Sequence, residues 1–401
     1  MKKKKLFLLA SLAAALAMTS CSSFDEPAAL DGDGMPLTRS GERAVFEVNS
    51  QSDLILALNL KASAIQIASS FELNQSVTIS NPTSITSASD AVITSSAPII
   101  CKANATFNGV KINATTPKGS GAINMEAENI NVVLKNVHLT QNTAGTADAQ
   151  ANVGIAILNT ACNNTLTIDS TTMVLPGNYV RAVSMYNATK KTVGLEIKNS
   201  HITCGSDLSY PSTYARLLSF SNVDTADGNP VVVDNSTLEG AYYVFNVNME
   251  SKIAVDVKNN SVLDGRAAFN LWSPNCTVNV NNSTLTGRNN YQGPTESFAN
   301  IVLNPGSTNS NITLNNVTFN LDVTKEGTTN RQYAISLRQN NQTITLAGTI
   351  TINDTQKNQA PTYVSTSLTD LSDINVYQET GYNYVGNLNK ASFFAPATNN
   401  Q

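Results

Sequence analysis

One phrase recurs along the chain and restricts its fold more than any other feature. Alternating apolar residues are followed by Asn, a small polar residue and another apolar residue. It reads Val133-Leu134-Lys135-Asn136-Val137-His138-Leu139, and again Leu195-Glu196-Ile197-Lys198-Asn199-Ser200-His201-Ile202. It returns around Asn235, Asn259, Asn282 and Asn316, and weaker copies put Asn81, Gly109, Ser170 and Gly348 at the same point. The intervals between these points are 28, 27, 34, 29, 36, 24, 23, 34 and 32 residues. Such a period suits one turn of a β-solenoid with loops of varying length. The alternation gives strands with one face inward. The Asn sits where the chain bends sharply between two strands, in the left-handed conformation that Asn and Gly tolerate. Stacked over successive turns, these Asn side chains can hydrogen-bond into a ladder.

Composition agrees with a β class. Charged residues make up only 13% of the chain, and Asn, Ser and Thr supply the polarity. Helix formers are scarce and β-branched residues abundant. The phrase resembles the strand–Asn–strand corner of right-handed parallel β-helices of the pectate-lyase-like class, which have three strands per coil and an Asn stack between the second and third. The resemblance covers about residues 75–354 and implies an all-β, right-handed, single-stranded parallel β-helix of about ten coils. It names a superfamily and no activity. A β-sandwich with Asn-rich turns would not keep one phrase through so many copies.

The ends fit a solenoid that must cover its open core and strand edges. Val45–Val48 reads as a strand, and Ser52–Ala62 as a capping helix with Ser52 as N-cap, Asp53 at its positive end, and Leu54, Ile55 and Leu58 on one face. The β-helix thus spans 44–401, with an N-terminal cap at 44–63. A C-terminal cover at about 360–401 loses the repeat and gathers Tyr363, Tyr377, Tyr382, Tyr384, Phe393 and Phe394.

Residues 1–20 read as a signal peptide: Lys2–Lys5 are basic, and Leu6–Ala17 are apolar but too few to span a bilayer. Met18-Thr19-Ser20-Cys21 resembles the bacterial lipobox, with Met18 where Leu is preferred, and implies lipidation of Cys21. Ser22 fits outer-membrane sorting, and Ser23-Phe24-Asp25-Glu26 resembles the acidic tether of Bacteroidetes surface lipoproteins. Residues 21–43 read as a flexible stalk. The expected location is the outer membrane, lipid-anchored and facing the exterior. Removing Lys2–Lys5 from the 25 basic residues leaves 21 against 29 acidic ones, a net −8. This argues against nucleic acid as a partner. Beyond Cys21, Cys101, Cys162, Cys204 and Cys276 form no CxxC pair, so no zinc or other metal is expected and the default is buried single thiols.

A second alternating segment follows each phrase, as in Ala182–Tyr186, Leu217–Ser221, Tyr243–Asn248, Ala267–Trp272, Ile301–Asn304 and Ile335–Arg338. This is the expected first strand, which in β-helix polysaccharide enzymes lines the cleft. Val183, Met185, Phe245, Val247, Phe269 and Leu271 should point inward. Ser184, Tyr186, Ser219, Ser221, Asn246, Asn248, Asn270, Trp272, Ser336 and Arg338 should point outward, with Arg181, Arg216 and Arg266 at strand entries. The face lacks the acids those enzymes use: there is no Asp-Asp pair, Asn-Thr-Asp, His-Gly or Arg-Ile-Lys set. Asp207, Asp224, Asp227 and Asp264 read as loop residues without a shared register. His138 and His201 share an outward slot on the third strand, away from the cleft, and read as surface filler.

What remains is polar with aromatic insertions, suited to sugar rings and hydroxyls. The candidate ligand-binding set is Trp272, Tyr186, Asn246, Asn248, Asn270, Arg266 and Arg338, with no catalytic residue and no cofactor. Asp169-Ser170-Thr171 and Asp224-Thr225-Ala226 resemble the Bacteroidetes O-glycosylation signal. Thr225, in a loop, is favoured over Ser170, at a tight corner. The leading expectation is a non-catalytic, adhesin-like or glycan-binding surface β-helix whose partner is a carbohydrate or host glycan. The alternatives are a polysaccharide lyase or glycoside hydrolase with a loop-built site, and a structural surface element with no small ligand.

Overall fold

The computed structural model describes residues 45–354 apart from 89, 143–146, 148–149, 159–162, 206–214, 226–228, 241, 249, 289–297, 323–331 and 338–341. It also describes the short strands Val364–Ser365, Val376–Tyr377 and Phe394–Pro396. The side chains of 186–191, 298, 337, 354 and those three strands are not described. Cys21, Cys162, Asp207, Asp227, Arg338, the Tyr186 side chain and most of 355–401 therefore lie outside the described residues.

The chain from Val45 is a parallel β-helix. Each strand pairs in parallel with the strand in the same position one coil earlier and one coil later, which builds three sheets. The first sheet passes through Gly121–Met125, Asn152–Ile157, 180–186, Arg216–Thr225, Tyr243–Val247, Ala267–Leu271 and Phe298–Leu303. The second passes through Asn131–Lys135, Asn164–Asp169, 193–198, Val231–Asp234 and Ala254–Lys258. The third passes through His138–Gln141, Thr172–Leu175, His201–Cys204, Thr237–Gly240 and Val262–Gly265. One antiparallel pairing is seen among the described residues, where Ile352 and Asn353 meet Ser365 and Val364. None of the described helices is long and apolar enough to cross a membrane.

The phrase is the corner between the second and third sheets. Gly109, Asn136, Ser170, Asn199, Asn235, Asn259, Asn282, Asn316 and Gly348 all have φ between 46° and 68°. At the bends of Gly109, Asn136, Ser170, Asn199 and Asn235 the backbone N–H donates to the next coil, as Asn136 does to the Asp169 carbonyl at 3.0 Å and Asn199 to that of Asp234 at 3.0 Å. Exposed side chains link two pairs of neighbouring corners: Asn235 Nδ2 donates to Asn199 Oδ1 at 2.8 Å, and Asn316 Nδ2 to Asn282 Oδ1 at 3.0 Å, while Asn259 Nδ2 donates to Asp234 Oδ1 at 2.7 Å. Beside them runs a buried hydroxyl ladder. The amides of Val137, Thr171, Ser200 and Ser236 donate to the hydroxyls of Thr171, Ser200, Ser236 and Ser261 at 3.1–3.2 Å.

Two details differ from the sequence reading. Asn81 is not such a corner. It joins Val77–Ile79 of the first sheet to Thr83–Ser87 of the second, and the positive-φ residue before Val92–Ser95 is Asp90. A strand followed by Asn looks alike in either position. A further left-handed series, Asn129, Asn163, Asn222, Asn275 and Asn309, lies between the first and second sheets.

The N-terminal cap is the strand Phe46–Val48 and the helix Gln51–Asn59. Its N-cap is Ser50 and not Ser52. The Ser50 hydroxyl accepts from the Asp53 amide at 3.2 Å, while the Asp53 carboxylate accepts from the Asn49 amide at 3.1 Å. This reciprocal cap outcompetes Ser52, which lies exposed within the first turn. Leu54 and Ala57 are the residues it buries.

Candidate functional site

The first sheet was the expected ligand face. Its inward residues behave as expected: Val183, Met185, Phe245, Val247, Phe269 and Leu271 are buried. Phe245 stacks between Phe220 and Phe269, with ring centroids 6.3 and 4.9 Å apart. The buried neighbours Ala182-Val183, Leu217-Leu218 and Val244-Phe245 break strict alternation.

The outward row is not the open floor the alternation implied. Asn124, Ala156, Ser184, Ser219, Asn246, Asn270, Val302 and Ser336 are successive register partners. All of them are buried. Val302 packs in an apolar cluster with Ala267, Ala299, Tyr243 and Tyr333. The amides are used on one another: Asn304 Nδ2 donates to Asn270 Oδ1 at 2.8 Å, Asn270 Nδ2 to Asn246 Oδ1 at 2.8 Å, and Asn246 Nδ2 to Asn248 Oδ1 at 3.1 Å. Buried amides must be bonded, and this chain bonds them without a ligand.

The next outward row lies nearer solvent. Ser221 pairs in register with Tyr186. Asn248 and Trp272 stand one coil apart at their strand ends, since the Trp272 amide donates to the Val247 carbonyl and the Asn248 amide to that of Phe220, both at 2.9 Å. Ser221, Asn248 and Trp272 are half-buried. The structure thus brings together Asn246, Asn248, Asn270 and Trp272, with an indole and one amide at the surface.

Arg266 is elsewhere. It forms the single-residue corner between Val262–Gly265 and Ala267–Leu271 and is fully buried. Its Nη1 donates to the Tyr242 hydroxyl at 2.9 Å, its guanidinium lies 5.2 Å from the Tyr242 ring centroid, and its carbonyl accepts from Gln332 Nε2 at 3.0 Å. Burial, ahead of the neighbouring Tyr242, pushes the Tyr243 hydroxyl well above its ordinary range. Arg216 and Arg181 are register partners at the strand entries two and three coils upstream, and both are half-buried.

The acids are better ordered than the sequence reading held. Asp224 and Asp264 are strand residues, within Arg216–Thr225 and Val262–Gly265, and not loop residues. Glu239 and Asp264 are register partners on the third sheet. His201 Nε2 lies 3.4 Å from Glu239 Oε2. Arg288 Nε donates to Asp264 Oδ1 at 2.8 Å, and its Nη2 contacts Oδ2. Burial raises the Asp264 carboxyl, opposed by Arg288. The signal was present: Thr237-Leu-Glu-Gly240 and Val262-Leu-Asp-Gly265 put both acids at one place in the repeat. Among the described residues no group of three or more His, Cys, Asp or Glu could hold a metal ion.

His138 and His201 occupy the expected exposed slot. Thr225 is corrected. It ends a strand, is buried, and its hydroxyl accepts from the Ala254 amide at 2.9 Å, because the strand continues to the last residue that can pair. Of the two candidate hydroxyls only Ser170 is exposed. Cys101, Cys204 and Cys276 are buried free thiols. No protein-family model and no curated protein matches the chain.

Proposed function

We propose that the protein is an exported lipoprotein of the pectate-lyase-like β-helix superfamily, anchored to the outer membrane through Cys21, that binds a glycan without chemical turnover. The observation that supports this reading is the half-exposed row Ser221–Asn248–Trp272 along the solenoid. An indole presents a flat apolar face to a sugar ring, and the amide beside it bonds hydroxyls. Asn246 and Asn270 act from below by holding Asn248. Tyr186 and Arg338 belong to the same expected row, and Arg266 supports the strand entry from within.

Glycan-array binding of wild type and Trp272→Ala tests the reading. A loss of about tenfold or more in the variant is expected, of the order seen when a stacking side chain at a binding hot spot is truncated. Equal binding by both proteins removes Trp272 from the site. Palmitate labelling lost in Cys21→Ser tests the anchor. A second reading, a glycoside hydrolase, is favoured by the paired carboxylates of Glu239 and Asp264. Turnover of a polysaccharide that disappears in Glu239→Gln would replace the first reading.

A further inference from the structure

The outward face of the second sheet carries charges in strict alternation. Lys135, Asp169, Lys198, Asp234 and Lys258 are successive register partners across five coils. Lys135 is exposed, and the side chains of Asp169, Lys198, Asp234 and Lys258 keep 19, 36, 29 and 43% of their surface. Within the molecule the neighbours approach loosely, Lys198 to Asp169 at 4.0 Å and Lys258 to Asp234 at 3.6 Å. Pairs this long and exposed contribute little to the fold. The coils on either side place Asn108 and Asn281 in the same row, so the sheet does not need charge there. Two residues upstream, the neighbouring row reads Val133, Thr167, Glu196, Val232 and Asp256.

We propose that this face is a docking surface for a second copy of the chain, packed sheet to sheet about a two-fold axis. An axis lying along the strands reverses the coil order and keeps each row opposite itself. Placed between the coils of Asp169 and Lys198, it sets Asp169 against Lys198 of the second copy and Lys135 against Asp234 of the second copy, each twice. The same axis sets Val133 against Val232 of the second copy, and Thr167 against Glu196. Moving the axis one coil onward also matches the charges but faces Glu196, which Lys198 of its own chain meets at 3.5 Å, with the apolar Val232 in place of the Thr167 hydroxyl. The alternation therefore selects a second copy, and the neighbouring row selects one register. A C2 interface has to be self-complementary in this way. The face measures about 24 Å by 17 Å, on the order of 400 Å² per copy, which is the size of a weak, salt-sensitive association. This inference does not depend on the glycan reading, which concerns the first sheet.

The test is sedimentation velocity of the compact unit Val45–Gln401, which contains the whole described core. Wild type at about 100 μM should sediment as a dimer at low ionic strength and as a monomer at about 1 M salt, where the screening length falls to about 3 Å. Lys198→Glu and Asp169→Lys should each be monomeric, because each sets like charges against one another twice. An equimolar mixture of the two should form a heterodimer, because the charges then match again. Circular dichroism checks that both variants fold. Should either fail, Lys198→Asn and Asp169→Asn place in the row the residue it already holds at positions 108 and 281, and each should weaken the dimer at least tenfold. A monomeric wild type at low salt, variants that dimerise as well as wild type, or a mixture that stays monomeric would overturn the proposal.

Discussion

Arg288 reaches back one coil to close on Asp264, with Nε 2.8 Å from Oδ1 and Nη2 against Oδ2. The carboxylate is almost enclosed, with 8% of its side chain exposed, while the guanidinium keeps 32%. Replacing Arg288 by Met leaves a buried carboxylate without its fork. The expected cost is about 2–3 kcal/mol in urea unfolding, below the 3–5 of a fully buried pair because the guanidinium is partly solvated. An Arg288→Met variant as stable as wild type at neutral pH would show that the pair contributes nothing.

The sign of the pH dependence follows from the same site. Burial raises the Asp264 carboxyl in the folded state above its ordinary value. A raised acid contributes stability that is complete below its unfolded value and is lost as pH rises through the folded value. Removing Arg288 raises it further. The stability difference between wild type and Arg288→Met should therefore shrink as pH falls from 7 toward 4. A constant difference across that range in parallel denaturant titrations counts against this assignment.

The corner Asn residues are expected to discriminate sharply among substitutions. Asn235 has φ 46° and donates to Asn199. Asn235→Ala adds the left-handed strain of about 1–2 kcal/mol to a lost hydrogen bond of about 1 kcal/mol. Asn235→Gly removes the bond but not the permitted conformation, so it should cost less. Thermal melts of the two variants give the order directly, and Ala above Gly would contradict the left-handed corner.

Three thiols should be inert in the folded protein. Burial is the main cause that pushes Cys101 and Cys204 up to about 12 and Cys276 up to about 11. The thiolate is the reactive species, so iodoacetamide at pH 8 should leave all three unmodified until denaturant is added. Peptide mapping by mass spectrometry identifies each site, and rapid native labelling of any one would show that its coil is open.

Phe245 carries the central aromatic stack between Phe220 and Phe269. Phe245→Ala should cost about 3–5 kcal/mol, and Phe245→Leu much less. The chemical denaturation midpoint measures both.

Much of this architecture was legible because a solenoid writes its geometry periodically. Asn136, Asn199, Asn235 and Asn316 announced a left-handed bend, and the alternation of Phe245, Val247, Phe269 and Leu271 announced which side faces the core. The face opposite was harder to read. Alternation says that Asn246 and Asn270 point away from the interior, but not that their row is buried, that its member Val302 packs against Tyr243 and Tyr333, or that the amides bond one another. Coverage of an outer face depends on corners of unequal length, and these have no period. Asp264 was misplaced for the opposite reason: the strand ran on past where its apolar pattern stopped, and its partner Arg288 is a coil away.

The register that aligns every row also decides how the molecule carries load. Strands lie across the solenoid, so the hydrogen bonds between coils point along its length. A pull between the two ends would act on them in tension, one intercoil junction after another, and not in shear across a sheet. Extension would then proceed in steps of a single coil. At about 3.4 Å per residue, the 24 residues from Asn235 to Asn259 would release roughly 80 Å and the 36 from Asn199 to Asn235 roughly 120 Å. A solenoid held at one end would yield as a graded extensible strap, its step lengths set by the corners.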